Sequence, residues 1–97
     1  PGGIFHPSPG VELDLRGQLA EDALQHLDNQ LEQAFLADLP YIRIIHGKGT
    51  GRLREVVRRA LRQSRYVKNW TTGSEAEGGD GVTVARLDTG SNTPSQE

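Results

Sequence analysis

The hydrophobic pattern of this sequence changes its period twice before residue 45. Residues 11–16 alternate apolar and polar side chains, which predicts a strand with one buried face. Apolar residues then recur at helical spacing from Ala20 to Leu39 until Pro40 ends the run, and the isoleucine-rich residues 41–45 predict a second, buried strand. Because a strand-helix-strand crossover of this length normally makes its two strands parallel, the sequence predicts an α/β fold.

The second half of the sequence predicts one more helix and two more strands. A glycine-rich loop at residues 47–51 is followed by apolar residues at helical spacing from Leu53 to Leu61. Residues 66–70 and 82–87 predict the last two strands. The predicted fold is therefore a two-layer α/β domain with the order βαβαββ, a mixed four-stranded sheet and two helices.

The two ends of the sequence differ in composition from its centre. A chain of 97 residues can bury one core and is too short for two. Residues 1–10 contain three prolines and three glycines, which indicates a linker or disordered segment that a neighbouring domain precedes. Residues 88–97 are polar and predict a disordered tail, so the domain itself is expected at residues 11–87.

The lack of cysteine and the lack of a long apolar segment narrow the class of protein. The sequence has no cysteine, which excludes disulfides, thiolate catalysis and thiolate metal sites. No stretch approaches the roughly 20 apolar residues that span a bilayer, and no signal peptide opens the chain. We therefore expect a cytoplasmic domain with no membrane partner.

Charge is distributed unevenly along the chain. The net charge of −2 argues mildly against strong binding of nucleic acid. Residues 1–42, however, hold seven acidic residues and the single base Arg16, whereas residues 43–68 hold nine basic residues and the single acid Glu55. One end of a small domain is thus strongly positive, which is typical of a protein that binds a polyanion.

The loop between the second strand and the second helix is the first candidate site. Gly47, Gly49 and Gly51 allow backbone N–H groups to approach an anion, Lys48 adds a full charge, and Thr50 is a potential cap of the following helix. The segment matches neither GxxxxGK[ST] nor GxGxxG, so a nucleotide-binding loop is excluded. The alternative interpretation is an ordinary tight turn, in which Gly51 serves only close packing.

Charged side chains are expected beside this loop. Arg16 and His46 are each predicted to end a parallel strand, and ligands collect at that rim of such sheets. His46 is a candidate general base or acid, and Arg16 a candidate phosphate ligand. Asp14 is a candidate for orienting His46 or for holding a metal ion. The alternatives are a structural histidine and an ordinary salt bridge between Asp14 and Arg16.

A stripe of arginines follows on the predicted second helix. Its members Arg54, Arg58, Arg62 and Arg65 recur at helical spacing. The first three are candidates for contacts with a nucleic-acid backbone, and the alternative is a solvated face that complements the helix dipole.

Three motifs in this order resemble the Smr (small MutS-related) domain family over residues 11–87. Residues 13–17 match its LDLRG-type strand, residues 46–51 its HGxG loop, and residues 78–84 its glycine-rich approach to the last strand. The full HGKGTG and GGDGVTV sequences are most similar to the branch found at the C-terminus of the second bacterial MutS paralogue, the suppressor-of-recombination branch. One departure is Leu19, where relatives often place Ser or Thr at the helix start.

The resemblance implies a fold similar to the C-terminal domain of translation initiation factor 3 and a nicking endonuclease activity on DNA. It implies that Asp14, Arg16 and His46 are the catalytic residues, with Gly47 and Gly49 shaping the loop. The implied partners are duplex or branched DNA and the rest of a MutS-like ATPase, acting in suppression of recombination or DNA repair. RNA cleavage and a non-catalytic role at collided ribosomes are the alternatives.

No tightly bound cofactor is expected. Participation of a divalent ion such as Mg²⁺ or Mn²⁺ is left open, with Asp14 as its candidate ligand. A full two-metal site is not expected, because it needs several carboxylates to hold ions about 4 Å apart.

Overall fold

The computed structural model describes residues 11–89, so the predicted linker at 1–10 and residues 90–97 of the predicted tail lie outside the described residues. The elements follow the predicted order. They are β1 (Val11–Asp14), α1 (Ala20–Leu36), β2 (Tyr41–Ile45), α2 (Arg52–Gln63), β3 (Val67–Thr72) and β4 (Val82–Leu87). Two 3₁₀ turns, Glu75–Glu77 and Gly79–Gly81, connect β3 to β4.

The four strands form one mixed sheet in the order β1-β2-β4-β3. β1 and β2 are parallel, as the crossover predicts, and β4 runs antiparallel to both of its neighbours. The predicted fold class is therefore confirmed. Because β4 lies beside β2, the start of β4 and the end of β2 meet at the same rim of the sheet, where Ile45 pairs with Val82.

Both helices pack on one face of this sheet. On β2, Ile42 and Ile44 are fully buried, whereas the alternate residues are only half-buried. The core on the helix side consists of Leu15, Ala23, Leu27, Leu31, Ala34, Ile42, Ile44, Val57, Leu61, Ala85 and Leu87. The opposite side, which no helix covers within residues 11–89, is called the open face below.

The first helix ends earlier than its apolar pattern predicts. Asp38 adopts a left-handed conformation with φ 61°, its amide N–H donates to Phe35 O at 3.0 Å, and the Leu39 amide reaches back to Ala34 O at 3.0 Å. This pair of hydrogen bonds is the Schellman pattern, which satisfies the last carbonyl groups of a helix. Leu39 therefore belongs to the turn, and the predicted helix end is three residues too late.

Three other details differ from the predictions. β1 ends at Asp14 and β2 at Ile45, so Arg16 and His46 follow their strands instead of ending them. β3 covers residues 67–72 and not 66–70, with an irregularity in register between Val67 and Asn69.

The buried face of α1 differs in detail from the apolar pattern of its sequence. Ala23 is fully buried, whereas Leu24, one of the apolar residues at helical spacing, is 39% exposed. At the other end of the domain, Asp88 donates its amide to Tyr66 O at 2.8 Å and Thr89 is buried. The packed part of the chain therefore extends to Thr89, two residues beyond the predicted boundary. No helix within residues 11–89 has the length and apolarity that crossing a membrane requires.

Leu27→Ala should lower the free energy of unfolding by about 2–5 kcal/mol, because it leaves a cavity in the centre of the core. Leu36→Ala in the same helix is the matched control, since Leu36 is 70% exposed while Leu27 is 1% exposed. Its effect should stay within about 0.5 kcal/mol. Urea unfolding followed by circular dichroism measures both variants, and equal losses would contradict this assignment of the core.

Candidate functional site

The glycine-rich loop is fastened to the start of β4 by a shared hydrogen-bond acceptor. The amide groups of His46 and Gly47 both donate to the carbonyl oxygen of Gly81, each at 3.0 Å. The amide of Gly47 is therefore occupied and cannot bind an anion, contrary to the expectation for this residue. Lys48, Gly49 and Thr50 are exposed, and no hydrogen bond of their amide groups occurs within residues 11–89. These three amides are the ones that can receive an anion.

Gly51 makes the sharp entry into α2. Its φ of 87° lies in the left-handed region, and a Cβ at this position would lie 2.9 Å from Nη2 of Arg54, whose side chain folds back over the glycine. Thr50 does not cap α2 in the usual position, because Gly51 is the N-cap. The Thr50 hydroxyl instead accepts a long hydrogen bond of 3.3 Å from the Arg52 amide.

His46 lies beneath the loop, on the helix side of the sheet. Its ring is 5% exposed, with Nδ1 2.9 Å from the carbonyl oxygen of Gly47 and Nε2 2.8 Å from the hydroxyl of Thr83. A carbonyl only accepts, so Nδ1 carries the proton, and neutral His46 receives the Thr83 hydroxyl hydrogen at Nε2. Burial, together with the charges of Arg58 and Arg54, lowers the pKa of His46 despite its bond to Gly47. Both ring nitrogens are thus occupied.

Arg58 is half-buried, and it bonds to the same Thr83 hydroxyl instead of extending into solvent with the predicted arginine stripe. Its Nε donates to Thr83 Oγ1 and its Nη2 to Thr72 Oγ1, each at 3.1 Å. The guanidinium carbon lies 4.6 Å from the centre of the Trp70 ring. Arg58 therefore braces α2 against β3 and β4, and this position does not favour the predicted contact with nucleic acid.

Asp14 and Arg16 form a salt bridge on the open face. Asp14 Oδ1 accepts from the Arg16 amide at 3.0 Å and from Nε at 2.9 Å, and Oδ2 accepts from Nη2 at 2.6 Å. The side-chain and backbone hydrogen bonds from Arg16 lower the pKa of Asp14 to about 2. The carboxylate is consequently ionised at any physiological pH.

The expectation that Asp14 orients His46 is wrong. In the sheet register Asp14 pairs with Ile45, whereas Thr83, the partner of His46, pairs with Ile44. Neighbouring residues of a strand point to opposite faces, so the carboxylate lies on the open face and the imidazole on the helix side. The same alternation was visible in the sequence, because His46 continues the series of Ile42 and Ile44.

Two depressions flank the loop. The first, called the rim hollow, has a volume of about 570 Å³ and lies on the open face. It is lined by Arg16, Ile45, Gly47, Lys48, Glu77, Gly78, Gly81 and Val82. The second, called the interhelical cleft, has a volume of about 390 Å³ and lies between the starts of α1 and α2, lined by residues 17–20 and 46–53. Lys48 lines both of them, and Arg16 brings the second cation to the rim hollow.

The outer surface of α2 is basic, and Arg52, Arg59 and Arg62 are exposed on it. Arg54 is half-buried near the loop, and Arg62 lies two turns further along the helix. Of the three arginines that were predicted to contact a polyanion, Arg54 and Arg62 therefore remain candidates. Sequence reasoning missed the two threonines and the tryptophan that hold Arg58, because they lie on strands distant in sequence.

Metal ligands do not cluster in the described part of the chain. No group of three or more His, Cys, Asp or Glu side chains positioned to hold a metal ion occurs within residues 11–89.

Known proteins with the same motifs share this arrangement of elements. The family model of the Smr domain matches residues 13–88. The chain belongs to the Smr domain family. Residues of the chain are 57% identical to the "Endonuclease MutS2" of Symbiobacterium thermophilum over 76 residues, which is 78% of this chain and 10% of that protein. A second "Endonuclease MutS2", from Geobacillus thermodenitrificans, is 52% identical over 77 residues.

Two solved structures of Smr domains are also similar. The Smr domain of Thermus thermophilus MutS2 has a TM-score of 0.76 and 45% identity, and the match covers 78% of this chain and 95% of that one. YdaL from Escherichia coli, a stand-alone small MutS-related protein, has a TM-score of 0.75 and 28% identity, with 78% of this chain and 63% of that one covered. This Smr chain spans about a tenth of the length of the MutS2 relatives that it matches.

The buried His46 should make the stability of this Smr domain depend on pH. Its pKa in the folded state lies below the ordinary value of 6.5, so the unfolded state binds the proton more readily. The free energy of unfolding should therefore be highest above about pH 6.5 and fall as the pH is lowered towards 5. Asp14 does not contribute in this window, because its pKa is about 2 in the folded state and has the ordinary value of 3.8 in the unfolded state.

Urea unfolding between pH 5 and 8 tests this dependence, with His46→Gln as the comparison that lacks the titrating ring. The wild-type chain should lose more stability than the variant as the pH falls. Parallel curves for the two proteins would show that His46 titrates alike in the folded and unfolded states.

Proposed function

We propose that this chain is the nucleic-acid-cleaving domain of a MutS-like protein and that it grips the sugar–phosphate backbone at the rim hollow. The observation that carries the proposal is that Arg16 and Lys48 line the rim hollow together and that the Lys48 amide there is exposed and unbonded within residues 11–89. Two cations and the free amide of Lys48 beside an open hollow suit a phosphodiester that continues in both directions. The names of the MutS2 relatives, which call them endonucleases, support the same activity.

The reaction we propose is the nicking of DNA by hydrolysis. Attack on phosphorus builds negative charge on the phosphoryl oxygens, and donors fixed in place before the reaction stabilise that charge most effectively. Arg16 and Lys48 are the cationic donors, and the amide of Lys48 adds a neutral one. Lys48 is the flexible partner, whereas Arg16 is held by its bonds to Asp14.

His46 contributes through the loop in this proposal. Its ring forms hydrogen bonds with the Gly47 carbonyl on the loop and with the Thr83 hydroxyl on β4. These bonds hold the loop in a fixed position relative to the sheet. For His46 to act as general base or acid, as its motif implies, Nε2 would have to leave Thr83 and reach solvent. The sequence-based assignment of His46 as a catalytic residue stays a prediction, and its contacts favour positioning.

The path of the polymer beyond the hollow is proposed to follow α2. Arg62 is exposed on the outer side of the helix together with Arg52 and Arg59, and the half-buried Arg54 lies at the loop end of α2 beside Gly51. The outer side of α1 carries Glu21, Asp22, Asp28 and Glu32, which repel a polyanion. Nucleic acid is therefore confined to the half of the helix layer that contains α2.

The parent protein in this proposal is a MutS-like ATPase that supplies the remaining nine tenths of the MutS2 length. Its proposed role is suppression of recombination or DNA repair, with the Smr domain cutting duplex or branched DNA. The alternative is cleavage of RNA, or binding without cleavage, in the rescue of collided ribosomes.

A specific observation favours binding without cleavage as the second candidate function. Both nitrogens of His46 and most acceptor positions of Asp14 are already bonded within the domain. The described residues around the hollow therefore offer no unoccupied histidine as general base. A domain of this kind binds phosphates with the same two cations and leaves the chemistry to a divalent ion or to a partner.

Arg16→Ala and Lys48→Ala should each weaken binding of a labelled DNA duplex and reduce the steepness of its salt dependence by about 1, since each removes one phosphate contact. Arg86→Ala is the matched control, because Arg86 is an exposed arginine at the opposite end of the sheet, where it pairs with Tyr41. It removes the same charge at a distance from the rim. Equal effects of all three would show that the rim hollow does not bind the phosphates.

The same variants separate cutting from binding. Nicking of supercoiled plasmid should be slowed by Arg16→Ala about tenfold or more, with Arg86→Ala close to wild type. Tight binding by the wild-type chain without any nicking above that of Arg16→Ala would replace the nuclease proposal by the second candidate.

A single 2′-deoxy substitution in an RNA strand distinguishes the two kinds of nuclease. Hydrolysis by water needs no 2′-hydroxyl, so cleavage at the substituted position should continue at the rate of the unmodified strand. Loss of cleavage at that position alone would instead identify a ribonuclease that uses the 2′-hydroxyl as nucleophile. Repeating both reactions in EDTA shows whether a divalent ion takes part.

A further inference from the structure

The carboxylate of Asp14 is bonded almost entirely to one residue. Arg16 supplies three donors to it, namely its backbone amide, Nε and Nη2, at 3.0, 2.9 and 2.6 Å. The two bonds to Oδ1 use both lone pairs of that oxygen, and one lone pair of Oδ2 remains. Asp14 thus has little capacity left for a substrate, a metal ion or a proton.

The same contacts fix the direction of the Arg16 guanidinium. The edge formed by Nε and Nη2 faces Asp14, and no hydrogen bond within residues 11–89 occupies either Nη1 hydrogen or the second Nη2 hydrogen. On the other side, the Arg16 stem packs against the loop, since a Cβ on Gly47 would lie only 3.3 Å from Arg16 Cγ. Arg16 is therefore held between a carboxylate and a glycine, and it lines the rim hollow beside Lys48.

Other roles of Asp14 fit these contacts poorly. A carboxylate whose pKa is held at about 2 by Arg16 is a weak base at neutral pH. A metal ion on the remaining lone pair would lie close to the positive guanidinium, which repels it. His46 is out of reach on the opposite face of the sheet.

We propose that Asp14 is a positioning residue that holds the Arg16 guanidinium with its free edge towards the rim hollow, where it binds an oxygen of the phosphodiester. This inference rests on the proposed function and assigns Asp14 a part distinct from the catalytic role that its motif implies. A fork of two parallel N–H donors matches the two non-bridging oxygens of a phosphate. Without Asp14, the side chain must give up several rotamers on binding, which weakens the contact.

The sign of the effect of Asp14→Ala is the first test. If the Asp14 carboxylate acts only through its negative charge, then removing it beside a phosphate site should raise the affinity for a polyanion. The positioning role predicts the opposite, a loss of about tenfold for a fluorescein-labelled DNA duplex. Glu12→Ala is the matched control, because Glu12 lies on the same strand face and contacts Arg43 at 3.6 Å without touching Arg16. It should leave affinity unchanged or slightly higher.

A double-mutant cycle with Arg16→Ala then shows through which residue Asp14 acts. If it acts only through Arg16, the double variant should bind and nick like Arg16→Ala alone. Losses that multiply in the double variant would overturn the proposal and indicate a direct contact of Asp14 with substrate or metal. Asp14→Glu, which keeps the charge with a longer stem, should recover part of the affinity lost in Asp14→Ala.

A readout without nucleic acid separates this inference from the proposed function. In the free wild-type chain the Arg16 Nε hydrogen should exchange slowly with solvent by NMR, and Asp14→Ala should make it exchange fast. Fast exchange in the wild type would overturn the positioning role even if the domain binds and nicks DNA. Slow exchange in a chain that neither binds nor nicks would overturn the proposed function and leave Arg16 a structural residue.

Discussion

The hydrogen bonds at the carbonyl oxygen of Gly81 are the contact on which the rest of this site depends. They tie the first two residues after β2 to the turn that precedes β4, and His46 adds a third tie through Thr83. The amides of His46 and Gly47 are thereby removed from solvent, while those further along the loop remain exposed. An anion-binding loop needs both properties, because free amides bind an anion well only when the backbone that carries them is already fixed.

This arrangement divides the polar residues of the rim between two faces. On the helix side, Thr83 joins His46 to Arg58 through hydrogen bonds, and the Arg58 guanidinium lies over the Trp70 ring. On the open face, the cations that line the rim hollow remain accessible beside the loop. A buried, satisfied network stiffens the base of the site, and an accessible one supplies its charge. Polar residues of the rim that lie close together in the sequence therefore have different chemical roles on the two faces.

Much of the fold could be predicted because its signals are local. Alternating, helical and β-branched patterns identified both α-helices and all four strands of residues 11–89, and the length of the crossover predicted that β1 and β2 are parallel. The errors fall at a turn whose conformation the apolar pattern does not encode and at a side chain whose partners are distant in sequence. The end of α1 depends on the left-handed Asp38 and its turn, and the inward position of Arg58 depends on hydroxyl groups of β3 and β4. A helical stripe shows which residues share a face, but it does not show which of them finds a partner.

The order of the elements, the position of the candidate site at the rim and the residue types around it could be predicted from local patterns, since strand alternation, helix periodicity and glycine content act over a few residues. The sequence also contained the pattern that places His46 with Ile42 and Ile44, which a strict reading of strand alternation reveals. The salt bridge between Asp14 and Arg16 joins residues two positions apart and was among the alternatives that the sequence offered, whereas the contact between His46 and Thr83 depends on strand packing. The reason is that β4, 37 residues further along the chain, inserts beside β2 and supplies the partner that His46 would otherwise lack.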